Sequence, residues 1–217
     1  RPTTPRPTTP RPTTPRPTAT NIPPPPGVPP PPGTPLPPGP PNPAGGGGDC
    51  EGGDRVLDFE GLRAGEIISR LPGLNLNARA ENTEGNNAAM IFDTNNPTGD
   101  TNLAFRNRGN VIIISGNGNT NNPDDSETGG TFFFHFDGFV QIESFILLDV
   151  ERDEIGRVTL FSPGNEVVYD EEISGTGSNS QTLITVASTA NVHTMVIRLA
   201  GSGGIDDIKY KLSCDEE

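Results

Sequence analysis

Apolar residues recur along this chain in short runs with a period of two, and only after residue 50. His193, Met195, Ile197 and Leu199 alternate with Val192, Thr194, Val196 and Arg198, as side chains on a strand alternate between faces. Phe132, Phe134 and Phe136 share one face of another run and should anchor a core, with Ile146, Leu148, Leu160 and Phe161 nearby. Ile205, Ile208, Tyr210 and Leu212 extend the theme, although Asp206–Asp207 shifts the phase. Strands are predicted over 55–59, 66–70, 74–80, 88–92, 110–115, 131–136, 140–150, 157–162, 166–170, 181–187, 192–199 and 205–212. Gly, Asn, Asp and Ser punctuate them. No segment keeps a helical period for three turns. The expected fold is an all-β antiparallel sandwich, a jelly roll, over residues 50–217.

Before residue 45 the pattern is of another kind. Residues 1–18 repeat RPTTP, and residues 23–43 read PPPPGVPPPPGTPLPPGPPNP. Proline fixes φ and lacks an amide donor, so neither helix nor sheet is expected there. Residues 1–44 are read as an extended polyproline II tail of ~3.1 Å per residue, and residues 45–49 as a glycine-rich hinge. The tail is either an interdomain spacer or an O-glycosylated stalk, since Thr-Thr between prolines has the composition of such stalks. Candidate glycan sites are Thr3, Thr4, Thr8, Thr9, Thr13, Thr14 and Thr18, with Pro23, Pro24, Pro25, Pro29, Pro30 and Pro31. No Asn-X-Ser/Thr sequon occurs.

Composition divides at the same place. All 28 acidic residues lie after residue 48 against 11 of the 15 Lys and Arg, a net charge of −17 behind a tail of +4. A surface so acidic is unsuited to phosphate backbones, so nucleic acid is excluded as a partner. No apolar run approaches the ~20 residues of a membrane-spanning helix. The chain opens on Arg1 within a repeat, as a mature or partial chain would. Gly-X-Ser-X-Gly, Walker, HExxH and CxxC motifs are all missing, and both histidines fall inside strands, so no enzyme is expected.

Cys50 and Cys214 bracket the sandwich. They are either a disulfide that ties the first strand to the last or two free thiols; a secreted location favours the disulfide. Acidic and amide-rich loops form three clusters. The first pairs Asp58 and Glu60 with Asp206 and Asp207; the second is the loop with Asp93, Asn95, Asp100 and Asn102; the third runs from Asn117 to Glu127 through Asp124 and Asp125. Calcium takes six to eight oxygens from such side chains and carbonyls, so it is the expected cofactor. Solvated turns of good turn formers are the alternative.

The stretches VLDFEGL and GIDDIKYKL resemble the two ends of galactose-binding-like jelly rolls, including carbohydrate-binding modules and adhesion domains. AAMIFDTNNPTGD, GNVIIIS and TGGTFFFHFDGFVQIESFILLDVE are also similar to a secreted bacterial and algal β-sandwich domain. The first resemblance implies a structural calcium held by Glu60 with Asp206 or Asp207, supported by Asp58. It does not carry over stacking aromatics, because the chain has no Trp and only Tyr169 and Tyr210 as tyrosines. The tail resembles hydroxyproline-rich glycoproteins of algal walls and flagellar coats, which implies hydroxylated, sugar-bearing prolines.

Two functions follow as expectations. The first is an extracellular structural glycoprotein, a subunit of a fibre, sheath or flagellar hair, whose partners are other copies of itself packed through the tail. The second is a calcium-dependent carbohydrate-binding or adhesion module on a stalk, with polysaccharide as partner.

Overall fold

Alternating β-branched and aromatic runs pair into ten strands in the computed structural model, which describes residues 53–71, 73–79, 88–98 and 101–213. They are β1 (Asp54–Leu57), β2 (Arg70–Leu71), β3 (Leu74–Arg79), β4 (Ala88–Asp93), β5 (Asn110–Ser115), β6 (Gly130–Leu148), β7 (Ile155–Phe161), β8 (Val167–Ser174), β9 (Gln181–Leu199) and β10 (Gly204–Leu212). All pairings are antiparallel. The expected all-β sandwich is therefore present. The tail, the hinge, the candidate glycan sites, Cys50, Cys214 and Asp100 lie outside the described residues.

Two strands of 19 residues organise the sandwich. β6 and β9 pair along their whole length, with register shifts between His135 and Ser144 on β6. The first half of β6 and the second half of β9 continue into β3 with β2 on one side and β7 with β8 on the other. The second half of β6 pairs with the first half of β9 on one side and with β10 on the other; β10 also pairs with β5 and β1, and β5 pairs with β4. Each long strand thus serves both layers. The sequence pattern splits both strands in two at the same places, around Asp137–Gly138 and Ser188–Asn191, where the polar interruption coincides with the register shifts between them.

The main core lies between the layers. Phe132, Phe134, Phe136, Ile142, Phe145, Val158, Leu160, Met195, Ile197, Ile205 and Ile208 are among its buried members. The inward parity on β6 changes from Ile142 to Phe145, where the register slips. Ile146 and Leu148 therefore turn away from the main core, contrary to expectation. They join a second cluster of Met90, Phe92, Leu103, Phe105, Val111 and Ile113 on the other face of β4 and β5, covered by the chain segment that follows β4. Phe161 also departs from expectation: it is half-buried and belongs to neither cluster. The strand expected over 66–70 shrinks to an isolated bridge between Ile67 and Met90, followed by the two-residue β2. Ile67 is 51% exposed while Ile68 is buried in the main core, and the segment is held beside β4 by bonds such as the Ile68 amide to the Ala89 carbonyl at 2.8 Å.

Candidate functional site

The first and last of the described strands meet as expected. β1 pairs with β10 from Asp54↔Lys211 to Leu57↔Ile208, which brings Asp58 and Glu60 beside the Asp206–Asp207 step. Asp207 takes φ +47°, and β10 loses register with β6 between Asp206 and Lys209. This bulge allows Ile205 and Ile208 both to enter the core and leaves Asp206 2% exposed on the opposite face. Burial and the neighbouring Asp207 charge push the Asp206 carboxyl up to about 7, against the lowering effects of the Asp207 amide and Arg108.

Arg108 is the group that sequence reasoning missed. Its Nη1 lies 2.7 Å from Asp207 Oδ2 and 3.6 Å from Asp206 Oδ2, and its Nε donates to Gln181 Oε1 at 2.9 Å. Asn107 (φ +75°) and Gly109 (φ +66°) flank it in the left-handed region, which turns the chain inward at this point. Glu60 packs over Gly109: a Cβ there would lie 2.0 Å from Glu60 Oε1. Glu60 Oε1 accepts the Asn110 amide at 3.1 Å, and Asp58 Oδ1 accepts the Glu60 amide at 3.2 Å.

The other two clusters are built differently. Asp93 Oδ1 accepts the Asn95 amide at 2.9 Å, and Asn95 Oδ1 accepts the Asn107 amide at 3.2 Å, so both side chains shape the loop. The Asn102 carbonyl accepts Asn179 Nδ2 at 2.6 Å. Asn117 and Asn119 accept the amides of Asn119 and Asn121, at 2.7 and 3.0 Å, as successive Asx turns. Asp125 is buried and accepts the Gly203 amide, while Asp124 lines a recess of about 270 Å³ with Asn117, Ser126 and Glu127. The three clusters do not share one centre.

A different recess lies beside β1, β10 and β6. It measures about 240 Å³ and is lined by Arg55, Gly73, Phe136, Gly138, Val140, Tyr210 and Leu212. Tyr210 is half-buried, with its ring centroid 5.3 Å from that of Phe136 at an interplanar angle of 54°. Arg55 is the cross-strand partner of Tyr210, is exposed, and makes no ion pair among the described residues. Added Cβ atoms at Gly73 and Gly138 would meet nothing within 4 Å, so both glycines border open space. Asp137 ties the rim together: its amide donates to the Gly73 carbonyl at 3.0 Å and its Oδ1 accepts Asn75 Nδ2 at 3.2 Å. Arg70 lies 3.8 Å from Asp137 Oδ2. The available sequence signal was a tyrosine placed between charged residues on an otherwise core-facing strand.

His135 and His193 do not form a catalytic pair with a carboxylate among the described contacts. His135 Nδ1 lies 3.1 Å from Thr194 Oγ1 at half-burial, and burial together with His193 lowers its pKa. The described residues contain no helix long and apolar enough to cross a membrane.

No family model matches the chain, and no curated protein matches it in sequence. Solved structures do match, at low identity. TmCBM61 in complex with β-1,4-galactotriose is 11% identical, covering 68% of this chain and 92% of that one at a TM-score of 0.39. A Streptococcus pneumoniae fucose binding module is 10% identical, over 63% of this chain and 89% of that one, with a TM-score of 0.35. CpGH89CBM32-5 from Clostridium perfringens, in complex with GalNAc-β-1,3-galactose, is 14% identical, over 68% of this chain and all of that one, at 0.35. The expectation of a fibre, sheath or flagellar-hair subunit is overturned by this set, whose members are sugar-binding modules. That reading, with its tail-mediated packing, is withdrawn. Some matched chains are parts of enzymes, such as the enzymatically active domain of a bacteriophage tailspike protein.

Proposed function

We propose that the sandwich is a secreted, non-catalytic carbohydrate-binding module whose ligand site is the Tyr210 recess. The observation that carries this reading is the pairing of a half-buried tyrosine face with a guanidinium that has no ion pair among the described residues, on adjacent strands beside two glycines. A sugar ring presents C–H groups on one face and hydroxyls around its edge. Tyr210 offers the apolar face, while Arg55 and Asp137 offer a charged donor and an acceptor at the rim. At about 240 Å³ the recess is below the ~300 Å³ typical of drug-sized pockets, so it suits one sugar unit of a longer chain. The rim is tied by backbone and side-chain hydrogen bonds, which limits the ordering cost of binding.

The test is a glycan array followed by calorimetry on the best ligand. The first panel contains galactose-, fucose- and N-acetylgalactosamine-terminated chains. Tyr210→Ala and Arg55→Ala should each weaken binding by at least about tenfold, ~1.4 kcal/mol. Tyr169→Ala, outside the recess, should leave affinity unchanged. Binding that survives both recess substitutions, or no binding to any glycan, would refute the proposal.

A further inference from the structure

We propose that Arg108 is the resident cation of the strand-end cluster and stands where the resembled jelly-roll modules hold calcium. Calcium requires six to eight oxygens at about 2.3–2.6 Å, gathered around an open centre. Here the guanidinium occupies that centre. Its Nη1 reaches Asp207 at 2.7 Å and Asp206 at 3.6 Å, and Gln181 fixes the far side of its plane through Nε at 2.9 Å. The remaining carboxylates are committed elsewhere. Glu60 receives the Asn110 amide, Asp58 receives the Glu60 amide, and Asp206 Oδ1 receives the Asp207 amide at 2.8 Å. Among the described residues, no three His, Cys, Asp or Glu side chains gather at metal-ligand spacing. The residues present therefore do not fit the ion.

The local backbone is shaped for the arginine. Left-handed residues on both sides of Arg108 and the missing Cβ of Gly109 let the chain turn in against Glu60. The Arg108 side chain is 23% exposed and that of Asp206 is 3% exposed, so the contact is screened far less than a surface pair. A guanidinium stays protonated throughout the physiological range and cannot be chelated. It also belongs to the segment that covers β4 and β5, so the charge and the loop are held by the same contact. The site thus gains a permanent charge where an ion would be exchangeable.

Thermal unfolding of the full chain tests this in millimolar EDTA and in millimolar calcium. The wild type should melt at the same temperature in both. Arg108→Ala should melt on the order of 5–10 °C lower in EDTA, because it leaves the buried Asp206 and the part-buried Asp207 without their cation. It should regain part of that loss in calcium, which the emptied centre now admits. Terbium luminescence on the wild type gives a readout that does not depend on the variant folding, and no sensitised emission is expected. A wild type that loses stability on chelation, or terbium emission abolished by Asp207→Asn, would overturn the proposal. So would an Arg108→Ala protein as stable as the wild type in EDTA.

Discussion

Acidification from about pH 8 to about pH 5 should stabilise the domain through Asp206. The carboxyl is 2% exposed and its pKa in the folded chain is about 7, against 3.8 for the ordinary group. A raised carboxylate pKa means that the folded state binds the proton more tightly than the unfolded chain does. Stability therefore rises as pH falls below the folded value, and levels off near the unfolded one. About two pH units of this window are crossed between about 7 and about 5, and each is ~1.4 kcal/mol, so the gain is about 2–3 kcal/mol. His135, whose pKa is lowered, acts in the opposite sense below its ordinary value. The assay must therefore compare proteins. Urea unfolding of wild type and Asp206→Asn at several pH values isolates the carboxyl and its coupling to Asp207, Arg108 and Glu60, because groups remote from it cancel in the difference. The wild type should lose about 2–3 kcal/mol relative to the variant on going from about pH 5 to about pH 8. A difference that is flat with pH would refute the reasoning, whatever the absolute stability of the variant.

Three further outcomes are expected. Phe134→Ala should cost about 3–5 kcal/mol and Leu103→Ala about 2–5 kcal/mol in denaturant unfolding, since both side chains are fully buried, each in a different cluster. Gly109→Ala should cost at least about 1–2 kcal/mol for its left-handed backbone and should displace Glu60 from the Asn110 amide, visible as a shift of that amide in an NMR spectrum. Segments that leave the antiparallel β1–β10 pair carry Cys50 and Cys214, so non-reducing digestion should yield one disulfide-linked peptide pair. Reduction should then lower stability by about 4–5 kcal/mol in the chain-entropy view.

Much of the fold was legible because each strand announces one buried face. The alternation of Phe132, Phe134 and Phe136 and the phase shift at Asp206–Asp207 both appear in the structure, the second as a bulge. Ile146 and Leu148 were placed wrongly because period two gives the face of a strand but not what lies against it. The unbroken runs Met90–Phe92 and Val111–Ile114 were the available warning, since consecutive apolar residues mark a strand covered on both sides. The meeting of Asp58 and Glu60 with Asp206 and Asp207 was also legible, from the pairing of the terminal strands. Arg108 was not, because it lies about fifty residues from one side of the cluster and nearly a hundred from the other. Only the turn made by Asn107 and Gly109 brings it there. The Tyr210 recess was hidden for a similar reason: its walls are β1, β10, the turn at Gly73 and the bend of β6.

The place of β10 has a consequence for how the chain comes together during synthesis. Of the ten described strands it is the last in chain order, yet it lies between β5 and β6 and is the ladder partner of β1. Until residue 212 has left the ribosome, β1 has no ladder partner among the described strands, and the β4–β5 hairpin has no ladder among them to the long strands. The nascent domain must therefore hold β1 without its β10 partner while some 150 residues follow, with its edges and core faces open to other chains. Vectorial synthesis cannot join the described strands in stages; β10 links both sides at once.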